Sequence, residues 1–250
     1  MAEEIQAVQL RPETLAAFEA YIREAEAAMD ETLQGPRFLW CDAEAKRSEQ
    51  VRQGKIIAEF CAGKGPAKVP SGLIHDWVGA AFAPGGTVAG LLAVIQNYDN
   101  HKNTYRPEVI ESKLLNRNGS HFQIYLRVLK KKIITVVIDS EHDVHYYVVD
   151  PLRQGCRSRT TRTSEVDDAG TPRERVKAPD TGYGFLWRLN SYWRFLERDG
   201  GVYMECRAVS LTRDIPTVFR LIVGPMVRSL PRDALIHTLR ATREAVVAGQ

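Results

Sequence analysis

The residues best placed to do chemistry are acidic and alternate along the chain: Asp139, Glu141 and Asp143, with His145 two positions further on. In an extended strand, side chains two apart share a face, so this row could supply an acid–base pair or hold a cation. A solvated outer face explains it as well, because no second cluster supplies the remaining partners of such a site. Basic residues stand nearby, Arg157, Arg159 and Arg162 in one group and Lys130, Lys131 and Lys132 in another. They could meet an anionic headgroup, a membrane surface or nucleic acid, or pair across strands with the acidic row. No aromatic-rich RNA motif accompanies them, so nucleic acid is not an expected partner.

A second constellation lies in two strand-like runs, residues 184–197 and 202–212, joined by the glycine-rich turn Asp199-Gly200-Gly201. If Asp199-Gly200 is a two-residue turn, Glu205 falls opposite Arg194 and Arg207 opposite Tyr192, with Asn190 next on that face. A desolvated Arg or Glu there would fix a ligand's polar end, or form a salt bridge tying the hairpin to a helix. Trp187 and Trp193 share the other face. Trp77, Tyr125, Tyr192 and Tyr203 also fall on strands, where large aromatics line cavities or fill cores. With Tyr105 from the connection 98–107 and Phe219 after the last strand, the candidate ligand contacts are Trp77, Tyr105, Tyr125, Trp187, Asn190, Trp193, Arg194, Glu205 and Phe219. His75 and Asp76 are adjacent on a strand, point to opposite faces and form no pair. His101 and Lys102 are loop residues without a visible partner.

No GxSxG elbow, Walker loop, HExxH helix or dinucleotide GxGxxG is present, and no catalytic residue, metal or cofactor is assigned. Cys41, Cys61, Cys156 and Cys206 lie far apart, with neither a CxxC pair nor His at zinc-ligand spacing. A net charge of +3 identifies no partner, and 44% hydrophobic residues suffice for a core. The start has no apolar h-region and no run is long enough for a membrane span. Cytoplasmic residence is the default expectation, with an exported form expected if an export signal has been removed.

The elements that must position these groups follow from periodicity. Residues 12–33 carry Leu15, Phe18, Ile22 and Met29 at helical spacing. A polar helix over 42–53, a short strand over 55–60 and a Gly/Pro/Lys-rich linker over 63–70 complete an N-terminal extension, residues 1–70. A strand over 73–82 stops at Pro84-Gly85-Gly86, and Thr87 is placed to cap an apolar helix over 88–98 that must be covered on most sides. Strands follow over 109–115, 121–129, 133–149 and 153–164 with short antiparallel connections. The interruption 167–183 is long for a loop and, like the turn 98–107, is a candidate gate. After a break at Gly224-Pro225 a final helix spans about 231–247. The expectation is an α+β fold, a curved antiparallel sheet of six or seven strands around a long C-terminal helix. One helix is too narrow to cover such a sheet, which leaves a gap suited to a ligand.

IHDWVGAAFAPGGTVAGLLAVIQNYDNHKNTYRPEVIES and GFLWRLNSYWRFLERDGGVYMECRAVSLTRDIPT resemble the opening and closing parts of the START-like, helix-grip superfamily, also called SRPBCC. The resemblance covers about residues 73–247 and implies a helix-grip domain over 71–250. That superfamily includes lipid-transfer proteins, coenzyme-Q-binding proteins, hormone receptors and polyketide cyclases, so fold alone does not choose a function. The first expectation is a non-catalytic binder or carrier of a lipid, quinone or polyketide-like molecule. The rivals are a cyclase or hydrolase using Arg194, Glu205 or Asn190, and a peripheral interaction module acting through the N-terminal helix. Membrane contact is expected to be peripheral at most. Oligomeric state leaves no mark in the sequence.

Overall fold

The computed structural model describes residues 7–61, 65–131, 135–214 and 220–249, with side chains of the last stretch from residue 230. Its strands are β1 (Val8–Gln9), β2 (Ile57–Phe60), β3 (Ala67–Val69), β4 (Gly72–Pro84), β5 (Val109–Asn118), β6 (His121–Lys131), β7 (Thr135–Asp150), β8 (Arg153–Asp167), β9 (Arg175–Val176), β10 (Thr181–Gly182), β11 (Arg188–Arg198) and β12 (Gly201–Arg213). The helices are α1 (Pro12–Glu31), α2 (Ala45–Arg52), α3 (Val88–Ile95), α4 (His101–Thr104) and α5 (Arg220–Ala248). Ten strands form one antiparallel sheet in the order β2-β4-β12-β11-β8-β7-β6-β5, with β3 added to β4 and β9 to β8.

Turn chemistry fixes the register of the central hairpin. Asp199 and Gly200 both adopt positive φ, 57° and 70°, as a tight two-residue connection requires. Arg198 therefore pairs with Gly201, Arg194 with Glu205 and Tyr192 with Arg207.

The continuous apolar run of β4 is explained by cover on both faces. Its odd positions, Trp77, Ala81 and Ala83, pack with Leu235 and Leu239 of α5. Its even positions meet the N-terminal extension: Ile74 packs with Phe18 and Ile22 of α1, and Ala80 and Phe82 with Phe38, Leu39 and Val51. Gly79 brings α5 close, since a Cβ there would sit 2.9 Å from Leu239 Cδ1. The extension thus forms the outer layer, and two of its strands, β2 and β3, belong to the main sheet.

Local expectations differ from the structure at three places. Helix α5 starts at Arg220 and runs through Gly224-Pro225 and Pro231 without the expected break. The segment 167–183 is anchored by β9 on β8 and β10 on β1. Helix α3 buries Val88, Leu91 and Ile95 but turns Ala89, Gly90 and Ala93 to solvent, small residues that expose little apolar surface. Its cap is as expected, with Thr87 Oγ1 accepting from Gly90 N at 3.0 Å.

Candidate functional site

Helix α5 packs on β4, β12 and β2, with α3 against β11 and α4 against β5, and space is left between α5 and the inner face of β6, β7 and β8. Between them lies a cavity of about 420 Å³. Period-two alternation builds its floor: Ile124, Leu126 and Val128 on β6, Ile138 to Tyr146 at even positions on β7, and Leu189, Ser191 and Trp193 on β11. Ala234, Leu235 and Thr238 of α5 form the roof. The turn carrying Tyr98, His101 and Tyr105 closes one side, and residues 183–186 another.

Away from the strand ends the polar side chains of this lining are uncharged, and several of them satisfy one another. The hydroxyls of Tyr98 and Tyr146 are 2.6 Å apart, and burial drives both far above the usual phenol value. Thr242 donates to Thr238 O at 2.8 Å, so Tyr105 donates to Thr242 across 3.1 Å. His101 Nε2 donates to Ile95 O at 3.0 Å, and burial pushes its imidazole down to about 4 against the pull of that carbonyl. His142 is likewise pushed down to about 4 by burial, with Nε2 3.0 Å from Ser140 Oγ. Burial pushes the Cys156 thiol up to about 12 and raises that of Cys206 as well, so neither is a ready nucleophile. Ionised residues in the lining are confined to strand ends, where Lys130 pairs with Glu108 and Arg213 adjoins Asp214. No group of three metal-ligating side chains occurs among the described residues.

Of the nine candidate contacts, Tyr105 and Trp193 line this cavity. Trp77 faces inward but packs on Phe60, ring centroids 3.8 Å apart and planes tilted by 32°, in the core beneath α5. Tyr125 points outward, and its hydroxyl donates to Asp139 Oδ1 at 2.9 Å. Trp187 precedes β11 in a bend, so the alternation that would pair it with Trp193 does not reach it, and it packs with Phe18 and Ile22. Phe219 lies outside the described residues.

Asn190, Arg194 and Glu205 occupy the outer face, where the N-terminal extension supplies the partners of Arg194 and Glu205 and is reached by Asn190 through Tyr192. Asn190 Nδ2 is 3.5 Å from the Tyr192 hydroxyl, which donates to Glu26 at 2.8 Å. Arg194 donates to Thr32 Oγ1 at 2.8 Å, to Phe38 O at 2.5 Å and to Met29 O. Glu205 accepts from Trp40 N at 2.5 Å. Arg207 pairs with Asp76 on the same face, 2.9 Å from Nε to Oδ1, and Tyr21 donates to that carboxylate at 2.7 Å. The acidic row is also outside: Asp139 holds Arg127 at 2.7 Å and Glu141 holds Arg162 at 3.2 Å, the cross-strand pairing weighed for it.

The residues missed from sequence alternate with that row. Ser140, His142, Val144 and Tyr146 line the cavity because Asp139, Glu141, Asp143 and His145 point away. The conspicuous charges marked the strand, and the quieter positions between them hold the inner chemistry.

No protein-family model matches the sequence, and no curated protein does. Among solved structures the chain is similar to a protein from Thermus thermophilus at 14% identity and a TM-score of 0.47, over 69% of this chain and 97% of that one. The STAR-related lipid transfer protein of Xanthomonas axonopodis is similar at 17% identity and a TM-score of 0.46, over 74% and 99%. The Zhui aromatase/cyclase from a Streptomyces species is similar at 12% identity and a TM-score of 0.45, over 70% and 93%. Likeness at this level identifies neither ligand nor reaction. An antiparallel sheet packed against a long C-terminal helix, with a cavity between the two, is a helix-grip arrangement, and by its own sheet order and helix placement this chain has it.

Proposed function

We propose that the protein binds and carries one hydrophobic small molecule, of the lipid, quinone or polyketide-like kind, between α5 and the inner face of the sheet. The observation that carries this reading is a cavity of about 420 Å³ with a largely apolar lining and neutral hydrogen-bonding groups. That volume falls within the roughly 300–1,000 Å³ of small-molecule sites, toward the end that suits a single compact ligand. In this reading residues 71–250 form the binding domain, and residues 1–70 stiffen its outer face. The segments 98–107 and 167–183 flank the cavity as its gates. Four free thiols suit a reducing compartment such as the cytoplasm. Among the described residues no helix is long and apolar enough to cross a membrane.

The enzymatic rival loses its proposed residues, since Asn190, Arg194 and Glu205 face the N-terminal extension. A peripheral module acting through α1 loses its motive, because Phe18 and Ile22 are buried against the sheet. Organic extraction of the purified protein followed by mass spectrometry tests the carrier reading. A stoichiometric apolar compound supports it. A protein that yields none and also fails to take up apolar fluorescent probes contradicts it.

A further inference from the structure

The inner face of the sheet carries one connected polar network within the apolar lining. His142 lies with Nε2 3.0 Å from Ser140 Oγ and Nδ1 3.5 Å from Ser158 Oγ. Ser140 Oγ is also 3.4 Å from Leu126 O. A carbonyl only accepts, so the Ser140 proton is directed there and Ser140 accepts from His142 Nε2–H. That choice leaves Nδ1 as an acceptor, and Ser158 must donate to it. The network therefore runs in one direction, from Ser158 through His142 and Ser140 to the Leu126 carbonyl. Its open end is the lone-pair side of Ser158 Oγ, whose contact is the longest of the three and whose residue lines the cavity.

Resting on the carrier reading above, we propose that Ser158 anchors a hydroxyl group on an otherwise apolar, uncharged ligand. The ligand's O–H donates to Ser158 Oγ while Ser158 keeps its own proton on His142. A ligand offering only an acceptor would have to turn the Ser158 proton toward itself, leaving Nδ1 of a buried imidazole without a donor. Ser191, the register partner of Ser158 on β11, places a second hydroxyl on the same face and widens the polar spot. Among the described residues an anionic headgroup meets no uncommitted cation beside Ser158, because His142 is neutral at physiological pH, Lys130 is paired with Glu108, and Arg213 adjoins Asp214 at a strand end. Arg159 and Arg157 pair with Glu26 and Asp30 of α1 on the other side of the sheet.

Three probes sharing one ring system separate these ideas: 1-pyrenemethanol, 1-(methoxymethyl)pyrene and 1-methylpyrene, titrated into the full chain by fluorescence anisotropy. The alcohol should bind about tenfold more tightly than either of the others, the effect of one hydrogen bond of roughly 1.4 kcal/mol. Ser158→Ala should remove that preference and leave 1-methylpyrene binding intact. Equal affinity of the three probes for the native protein overturns the anchor and leaves the carrier reading standing, without need of a variant. A preference for the alcohol that survives Ser158→Ala also overturns it. Failure of all three to bind overturns the carrier reading and the anchor together.

Discussion

Arg194 and Glu205 stand directly opposite each other on β11 and β12, and both are committed to the N-terminal extension rather than to the cavity. Arg194 holds the end of α1 and the following loop through Met29, Thr32 and Phe38. Replacing it by Met removes these bonds and leaves the buried Glu205 without its neighbouring cation. The expected cost is about 3 kcal/mol. For a chain of this size that lowers Tm by roughly 6–12 °C. Affinity for 1-methylpyrene should be unchanged, because the sheet separates the two faces. Thermal unfolding together with probe titration checks both halves, and loss of binding in a variant of unchanged Tm would contradict the assignment of faces.

The same pair gives stability a pH dependence of known sign. Burial pushes Glu205 up to about 7, against the pull of Arg194 and of the Trp40 and Cys41 N–H groups. Its folded pKa lies above the unfolded carboxylate value of about 4.3, so the folded chain holds this proton more tightly than the unfolded one. The resulting stabilisation is full below about pH 4.3 and is lost as pH rises through about 7. Glu205→Gln keeps an oxygen for the Trp40 N–H and removes the titration. Urea unfolding at about pH 5 and about pH 8 should show the native chain losing on the order of 3 kcal/mol more than the variant across that interval. Equal changes in the two proteins would remove Glu205 as the source.

The hairpin register was legible because Asp199-Gly200 admits few backbone conformations, and the outward acidic row because basic residues stood ready to pair with it. Which face of β11 looks inward was not legible. Asn190, Tyr192 and Arg194 read as a polar face suited to solvent or to a site, and Leu189, Ser191 and Trp193 are mixed as well. The deciding partners, Glu26, Met29 and Phe38, come from far away in the chain, and they convert a polar face into a buried one. Local periodicity carries no information about such a layer. It also could not show that Trp187 falls before the strand begins, where alternation has no force.

Glu165 latches one wall of the cavity. Its buried carboxylate accepts from the backbone N–H groups of Tyr183, Gly184 and Phe185 at 2.7, 2.9 and 3.0 Å. All three residues line the cavity. The latch needs Gly182, since a Cβ there would come within 2.5 Å of Glu165 Oε2. Glu165→Ala leaves three donors without their acceptor, at a cost of roughly 1–3 kcal/mol after partial rehydration. Amide hydrogen exchange should quicken over residues 183–185 before it changes in β11 or β12, and bound probe should dissociate faster. Unaltered protection of those three amides would show that the segment is held by other contacts.

A bulky residue on the roof tests whether the space beneath α5 is where a ligand sits. Ala234 lines the cavity from α5, and Ala234→Phe sends an aromatic ring into space that is otherwise open. A side chain entering a cavity does not push apart packed neighbours, so the usual penalty of overpacking is small and the added apolar contact offsets it. Tm should therefore hold steady or rise, while affinity for 1-methylpyrene falls by more than about tenfold, or roughly 1.4 kcal/mol. Val247, on the same helix and 42% exposed, provides the control for substitution by Phe in α5: Val247→Phe should leave the probe titration unchanged. Trp193 is the one tryptophan in the cavity lining among the described residues, so probe binding should alter tryptophan emission in the native chain and in Val247→Phe. The same change should be absent from Ala234→Phe. Undiminished binding in a folded Ala234→Phe variant would place the ligand elsewhere and detach the apolar cavity from the function proposed for it.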